Sequence, residues 1–225
     1  MKVIARVRSD FPDKFGIPRQ SGLVPGLTSL IVFEPEYRAP EALRGLEEFN
    51  YLWVLWGFHL SDWPGWSPTV RPPRLGGNTR MGVFATRSPN RPNPIGLSSV
   101  RLEGIAERPG LGHVLVISGA DMADDTPVYD IKPYIPYTDI HEDAASGFVT
   151  EAARWRLRVE IPEALEKHLP PEKLPALREV LAQDPRPGYQ RENGRVYGFR
   201  FAGRQVRFRV EEDLLTVLSI EKEQP

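Results

Sequence analysis

WSPTVRPPRLGGNTRMGVFATRSPNRPNPIGLS, residues 66–98, carries five arginines (Arg71, Arg74, Arg80, Arg87 and Arg91) and no acidic residue. The whole chain has a net charge of −1, so with +5 in this stretch the remainder carries −6. Prolines and glycines recur along it, which excludes helix or central strand for most of its length. Proline restricts the unfolded chain as well as the folded one, so holding such a loop in one shape costs less entropy. A loop this basic and stiff is suited to an anion. The bland alternative is a solvated surface loop. The density and single sign of the charges weigh against it.

Outward from that loop, 225 residues allow one large or two small domains with a real core. Apolar and charged contents of 40% and 26% are those of a globular chain. The absence of cysteine excludes disulfides, thiolate metal ligands and a cysteine nucleophile. The N-terminal MKVIARVRSDF lacks an apolar signal core. The longest apolar run, residues 51–60, is far short of a membrane span. A soluble cytoplasmic protein is expected. The near-neutral charge gives no global attraction to nucleic acid, so any such binding must come from local patches.

In chain order, residues 2–8 and 28–34 read as strands, separated by a loop holding Pro18-Arg19-Gln20. Pro40 opens an expected short helix to Phe49. YLWVLWGFHL (51–60) reads as a strand buried on both sides and ends at His59. Residues 81–86, 97–105 and 113–118 read as further strands. Residues 119–130 then hold four aspartates (Asp121, Asp124, Asp125 and Asp130) and no cation, either an acidic turn or a carboxylate group facing a cation, a diol or the basic loop. Many short strands with turns between them predict an antiparallel barrel or sandwich. Residues 139–153 read as a linker. A smaller α+β unit follows: a strand at 154–161, with Trp155, Leu157, Val159 and Ile161 on one face, a helix at 172–183, a hairpin across Ala202-Gly203 and a closing strand. Residues 183–209 carry seven arginines against two acids, a second basic patch, with Tyr189 placed for stacking.

Several chemistries lack support. No G-x-G-x-x-G, P-loop or G-x-S-x-G is present. His59, His113, His141 and His168 show no ligand spacing, so no metal site is expected. What remains is a basic loop and an acidic turn on a mainly β scaffold. Such a site suits a ligand with an anionic end and a cationic or hydroxylated end. S-adenosylmethionine is one molecule of that kind, compatible with the composition and not selected by it.

The strings themselves select further. RPPRLGGNTRMGVFATRSPNRPNPIGLS (71–98) resembles the signature of the TsaA-like (YaeB, TrmO) family. The likeness extends through DKFGIPRQSGLV (13–24), residues 42–59, ADDTPVYDIKPYIPY (123–137) and LREVLAQDPRPGY (177–189), nearly the whole chain. The resemblance implies an N-terminal antiparallel β-barrel over 1–145 that binds S-adenosylmethionine, and a C-terminal α+β domain over 150–225 for tRNA. It implies a homodimeric, S-adenosylmethionine-dependent tRNA methyltransferase acting on N6 of threonylcarbamoyladenosine beside the anticodon. It places donor contacts at Pro18, Arg19, Gln20, His59, Leu60, Arg87, Leu97, Asp124, Asp125, Thr126 and Pro127. Asp125 stands where a glycine is also common, a substitution that aspartate's tolerance of left-handed backbone allows. Arg71, Arg74, Arg80, Arg91, Arg186, Tyr189, Arg207 and Arg209 are the expected tRNA contacts. His59, Asp121 and Asp124 are the candidates for a general base. A non-catalytic RNA-binding module and a small-molecule methyltransferase are the alternative readings.

Overall fold

The computed structural model describes residues 1–61, 65–72, 79–149, 156–186 and 194–223. Its first eight strands are β1 (Ala5–Arg8), β2 (Thr28–Phe33), β3 (Tyr51–Gly57), β4 (Thr69–Val70), β5 (Met81–Gly82), β6 (Ile95–Arg108), β7 (Gly112–Ser118) and β8 (Pro127–Pro133). Six of them close on themselves in the order β1-β2-β7-β6-β3-β8, a barrel with every pairing antiparallel. Strand β1 pairs both β2 and β8, so the ring has no free edge. Alternate residues such as Val7, Ile31, Val54, Val100, Ile117 and Val128 fill its interior. Strands β4 and β5 make a separate two-stranded ribbon.

The structure corrects four local expectations. Residues 51–57 are buried on one side only: Leu52, Val54 and Trp56 point inward, Trp53 and Leu55 are half-buried, and Tyr51 is exposed. A strand in a small barrel has an outer face, however apolar its sequence. The helix expected from Pro40 is two 3-10 turns, Pro40–Leu43 and Leu46–Glu48, separated by Gly45 at φ +85°. Residues 81–86 are strand only at β5, after which Val83–Ala85 form a 3-10 turn. Strand β8 begins inside the segment read as an acidic turn, runs past its end and closes the ring.

After the short helix α1 (Pro136–Asp139), the second unit comprises β9 (Arg158–Glu160), α2 (Glu163–Glu166), α3 (Leu174–Ala182), β10 (Val196–Phe201), β11 (Arg204–Glu211) and β12 (Leu214–Lys222). The sheet order is β10-β11-β12-β9, with β9 parallel to β12. The expected hairpin is present, and Ala202 and Gly203 both have positive φ (49° and 68°), as a tight two-residue turn requires. Strand β9 is shorter than expected. Leu157 and Ile161 are buried and Val159 is half-buried, while Trp155 lies outside the described residues.

One packing feature crosses the expected boundary between the units. The core of the second unit, built from α3 and the inner face of its sheet, includes Phe11, Val24 and Leu27 from the β1–β2 connection. Gly16, at φ +91°, lies under the Phe199 ring; a Cβ there would be 2.4 Å from Phe199 Cδ2. Ion pairs Lys173–Asp10 (2.6 Å) and Arg200–Asp13 (2.9 Å) hold the same segment. Residues 9–27 therefore leave the barrel and pack on the second sheet.

Candidate active site

In an antiparallel ring, alternate strands start and end at the same rim. Here the ends of β1, β3 and β7 and the starts of β2, β6 and β8 share one rim, which collects the three long connections 9–27, 58–94 and 119–126. Backbone bonds clip these connections together: Gly22 N–H to Gly119 O (2.8 Å), Asp124 N–H to Phe11 O (2.7 Å), Asp125 N–H to Val7 O (2.8 Å) and Phe58 N–H to Pro94 O (3.1 Å). Gly22 and Gly119 are both left-handed, and a Cβ on Gly119 would stand 3.3 Å from Gly22 backbone atoms.

Two of the expected donor residues meet directly at this rim. Arg87 Nη1 donates to Gln20 Oε1, and Gln20 Nε2 donates back to Arg19 O (2.5 Å). Pro18 is buried and Arg19 and Gln20 are half-buried, whereas Arg87 is exposed. Beside Arg87 lies a polar chain running into the barrel. Trp56 Nε1–H donates to Ser98 Oγ (3.0 Å), and the Ser98 hydroxyl donates to Asp121 Oδ1 (2.6 Å). Burial pushes the Asp121 carboxyl above its ordinary range, against the opposing effects of the Ser98 hydroxyl, the amides of Asp121 and Ser21, and the Arg87 charge. Ser98 and Trp56 were not foreseen as site residues. The available signal was a serine at an inward position of β6, two residues before Val100.

The acidic segment is a turn at 124–125 whose carboxylates face cations of β1. Asp125 is left-handed (φ 61°), the conformation expected of a position that also takes glycine. Its carboxylate pairs with Arg6 Nη1 (3.1 Å) and Arg8 Nη1 (3.7 Å) of β1, not with the basic loop. Asp124 Oδ1 accepts from Ser9 N–H (3.0 Å) and Oδ2 lies 3.6 Å from Arg8 Nη1. Both Asp124 oxygens thus brace the turn. Thr126, buried, places its hydroxyl 3.4 Å from His59 Nδ1, so the exposed His59 ring is held at the same rim. Pro127 is buried, Leu60 is half-buried and Leu97 is 57% exposed. The guanidinium of Arg87, the carboxyl of Asp121 and the His59–Thr126 pair thus stand on connections at one rim, and Leu97 lies exposed on the outer face of β6 near it.

Residues 6–140 match the family model for the tRNA-methyltransferase O N-terminal domain, and residues 155–223 match that for the TrmO C-terminal domain. The chain belongs to the tRNA-methyltransferase O (TrmO) family. The tRNA (adenine(37)-N6)-methyltransferase of Escherichia coli K12 is 42% identical over 97% of this chain and 96% of its own. A putative S-adenosylmethionine-dependent methyltransferase, RcsF, of Pseudomonas aeruginosa is 43% identical over 96% of this chain and 95% of its own. The crystal structure of TrmO from P. aeruginosa superposes with a TM-score of 0.79 at 36% identity, covering 99% of this chain and 97% of that one.

On this TrmO fold the expected tRNA contacts divide. Arg71, Arg80 and Arg207 are exposed. Arg209 is half-buried with Nε 3.3 Å from Glu211 Oε1. Arg91 instead braces its own loop: Nη1 donates to Thr86 O (2.6 Å) and Val83 O (3.2 Å), and its guanidinium lies 5.8 Å from the Phe84 ring centroid. Arg186 is 5% exposed and bonded through Nε to Asp184 Oδ1 (2.7 Å), so it cannot serve as a surface phosphate contact. Arg74 and Tyr189 lie outside the described residues.

Proposed function

We propose that this chain is an S-adenosylmethionine-dependent tRNA methyltransferase that methylates N6 of adenine 37 when that base already carries its threonylcarbamoyl group. The observation that carries the reading is that the Gln20–Arg87 pair and the Asp121–Ser98–Trp56 chain stand at one rim, in a chain of the TrmO family. Bound S-adenosylmethionine supplies an electrophilic methyl group on a sulfonium, whose leaving group needs no activation. The work left to the protein is to hold and orient. Arg87, kept in place by Gln20, offers two parallel N–H donors to a carboxylate. Asp121 takes hydrogen bonds from an ammonium or hydroxyl group, and the Thr126 turn lines the pocket beside it. Orientation of this kind supplies roughly 7–11 kcal/mol of barrier reduction.

The acceptor nitrogen is conjugated to a purine and to a carbonyl, so its proton is comparatively acidic. His59, exposed at the rim and held through Thr126, is the favoured candidate to receive it, ahead of Asp121 and Asp124, whose carboxylates already accept hydrogen bonds. A general base contributes about 10²–10⁴-fold. Turnover that survives His59→Ala within a few-fold would leave orientation as the whole contribution.

The barrel over 1–145 would hold the donor and the unit over 150–225 would bind the anticodon arm of tRNA. Arg71, Arg80, Arg207 and Arg209 would meet phosphates. The exposed Phe84 and Trp66 of the 58–94 connection support a homodimer in which a second copy covers them. Work on tRNA is consistent with a cytoplasmic protein; among the described residues no helix is long and apolar enough to cross a membrane. The decisive experiment is mass spectrometry of tRNA nucleosides from a strain lacking the protein. It is paired with methylation by the pure protein of tRNA with and without the threonylcarbamoyl group. Methylation of the unmodified adenine alone would refute the substrate named here.

A further inference from the structure

We infer that Asp184 and Arg186 are positioning residues for the donor pocket: a buried ion pair in the second unit fixes the loop on which Gln20 and Arg87 depend. Asp184 and Arg186 are 4% and 5% exposed. Two parallel bonds join them, Nε to Oδ1 (2.7 Å) and Nη2 to Oδ2 (3.1 Å), and the Arg186 N–H is 3.4 Å from the same Oδ1. Asp184 sits just past the end of α3 with φ +53°, its N–H bonded to Leu181 O (3.1 Å). That left-handed position favours glycine. An aspartate there makes sense through its carboxylate, which locks the turn that follows.

The lock has a consequence for the loop across from it. The carbonyls of Asp184 and Arg186 both face Arg19 Nη2, at 3.4 and 3.2 Å. Arg19 O accepts from Gln20 Nε2, and Gln20 Oε1 accepts from Arg87 Nη1. A continuous hydrogen-bonded path thus runs from the interior of the second unit to the guanidinium at the barrel rim. Burying two charges is costly, and an apolar pair of similar volume stabilises a core at least as well. Stability alone therefore does not account for the pair; directing two carbonyls at Arg19 does. The same unit that presents Arg207 outward thereby sets the geometry of the donor loop from within.

The inference rests on the assignment of Pro18–Gln20 and Arg87 to the donor pocket, and the test separates the two. Calorimetric titration with S-adenosylmethionine is run on wild type, Arg87→Ala, Asp184→Asn and the double variant Asp184→Leu/Arg186→Met. Affinity for tRNA is measured on the same samples. The double variant replaces the pair with apolar groups and is expected to stay folded with a lowered melting temperature, because leucine is strained at φ +53°. If loss of the lock leaves about a tenth of molecules with the loop in place, Kd for S-adenosylmethionine rises about tenfold. KM for the donor rises with it, while KM and Kd for tRNA stay within about twofold, a split that general loosening of the fold would not produce. Amide exchange should accelerate at residues 17–22 and not in β6. Should the double variant fail to fold, Asp184→Asn, which keeps the side-chain shape, carries the test with the same direction of change. Unchanged donor affinity in a folded variant, with binding lost in Arg87→Ala, overturns the positioning role. Donor binding that survives Arg87→Ala overturns the pocket assignment and the inference with it.

Discussion

Arg80 and Arg91 belong to one basic stretch, yet their surroundings differ. Arg80 is exposed with, among the described residues, a long contact to Thr69 Oγ1 (3.5 Å), whereas Arg91 is tied to two carbonyls of the turn before Arg87. A phosphate contact releases counterions, so Arg80→Ala should flatten the slope of log K for tRNA against log[salt] by about 0.7–0.9. Arg91→Ala should leave that slope unchanged and reduce donor affinity, because the loop bearing Arg87 loses its brace; filter binding across a salt series checks both. Asp121 makes a separate prediction. Burial holds its folded pKa above the unfolded value, so the folded state binds more protons between the two. Stability therefore falls as pH rises through that interval, and the full cost is present above the folded pKa. Asp121→Asn removes the cost: its melting temperature relative to wild type should be higher at about pH 8 than at about pH 3. Its KM for S-adenosylmethionine should rise all the same. A gain in stability that did not vary with pH would show that the carboxyl is not desolvated. The charge count in the sequence could not sort Arg186 or Arg91 from Arg80, since a buried strut and a solvated cation contribute the same +1.

Where local chemistry decides an element, the sequence was readable. Tyr197, Phe199 and Phe201 alternate with small or polar residues, as do Val206, Phe208 and Val210, and the turn between them is two residues long. The hairpin follows from period two and a turn alone. The turn is still imperfect, because Ala202 holds φ 49° without the side-chain compensation that asparagine has. Ala202→Asn should stabilise the protein by about 1 kcal/mol, read as a shift in denaturant midpoint without a change in slope. Strand β8 was not readable in the same way. Asp130 and Lys132 pair with each other on its surface (2.9 Å), and prolines stand at both ends, so its own residues signal a turn. Its strand character comes from neighbours: β1 and β3 supply backbone partners that no local pattern announces. Gly45 likewise defeated the helix at 40–49, since an apolar spacing that suits a helix cannot continue through a left-handed residue.

Across the whole molecule, the second sheet has two faces with different work. Its inner face packs on α3 and on residues 9–27. Its outer face carries Arg207 and Arg209, with Val196 and Leu218 exposed beside them and the Gln205 and Arg207 side chains covering Gly198. RNA on that outer face predicts that Arg207→Ala/Arg209→Ala lowers the tRNA salt slope by about 1.4–1.8 in total. Calorimetry on the same variant should give unchanged donor affinity; a matching loss of both would place these arginines in the fold instead. The family strings made the barrel, the second unit and the rim residues legible from sequence. The seating of residues 9–27 on the far unit was not, because sequence order assigns a connection to the strands it joins. That seating also sets a schedule. Phe11 is made early, but its partners Phe199 and Phe201 come about 190 residues later. At about 5–20 residues per second, roughly 10–40 s of synthesis separates them. During that interval Phe11, Val24 and Leu27 have no core to enter and offer apolar surface to chaperones. On the proposed assignment of Pro18–Gln20 to the donor pocket, that loop reaches its final seat only after the last strands leave the ribosome, so donor binding is expected to tighten as synthesis ends.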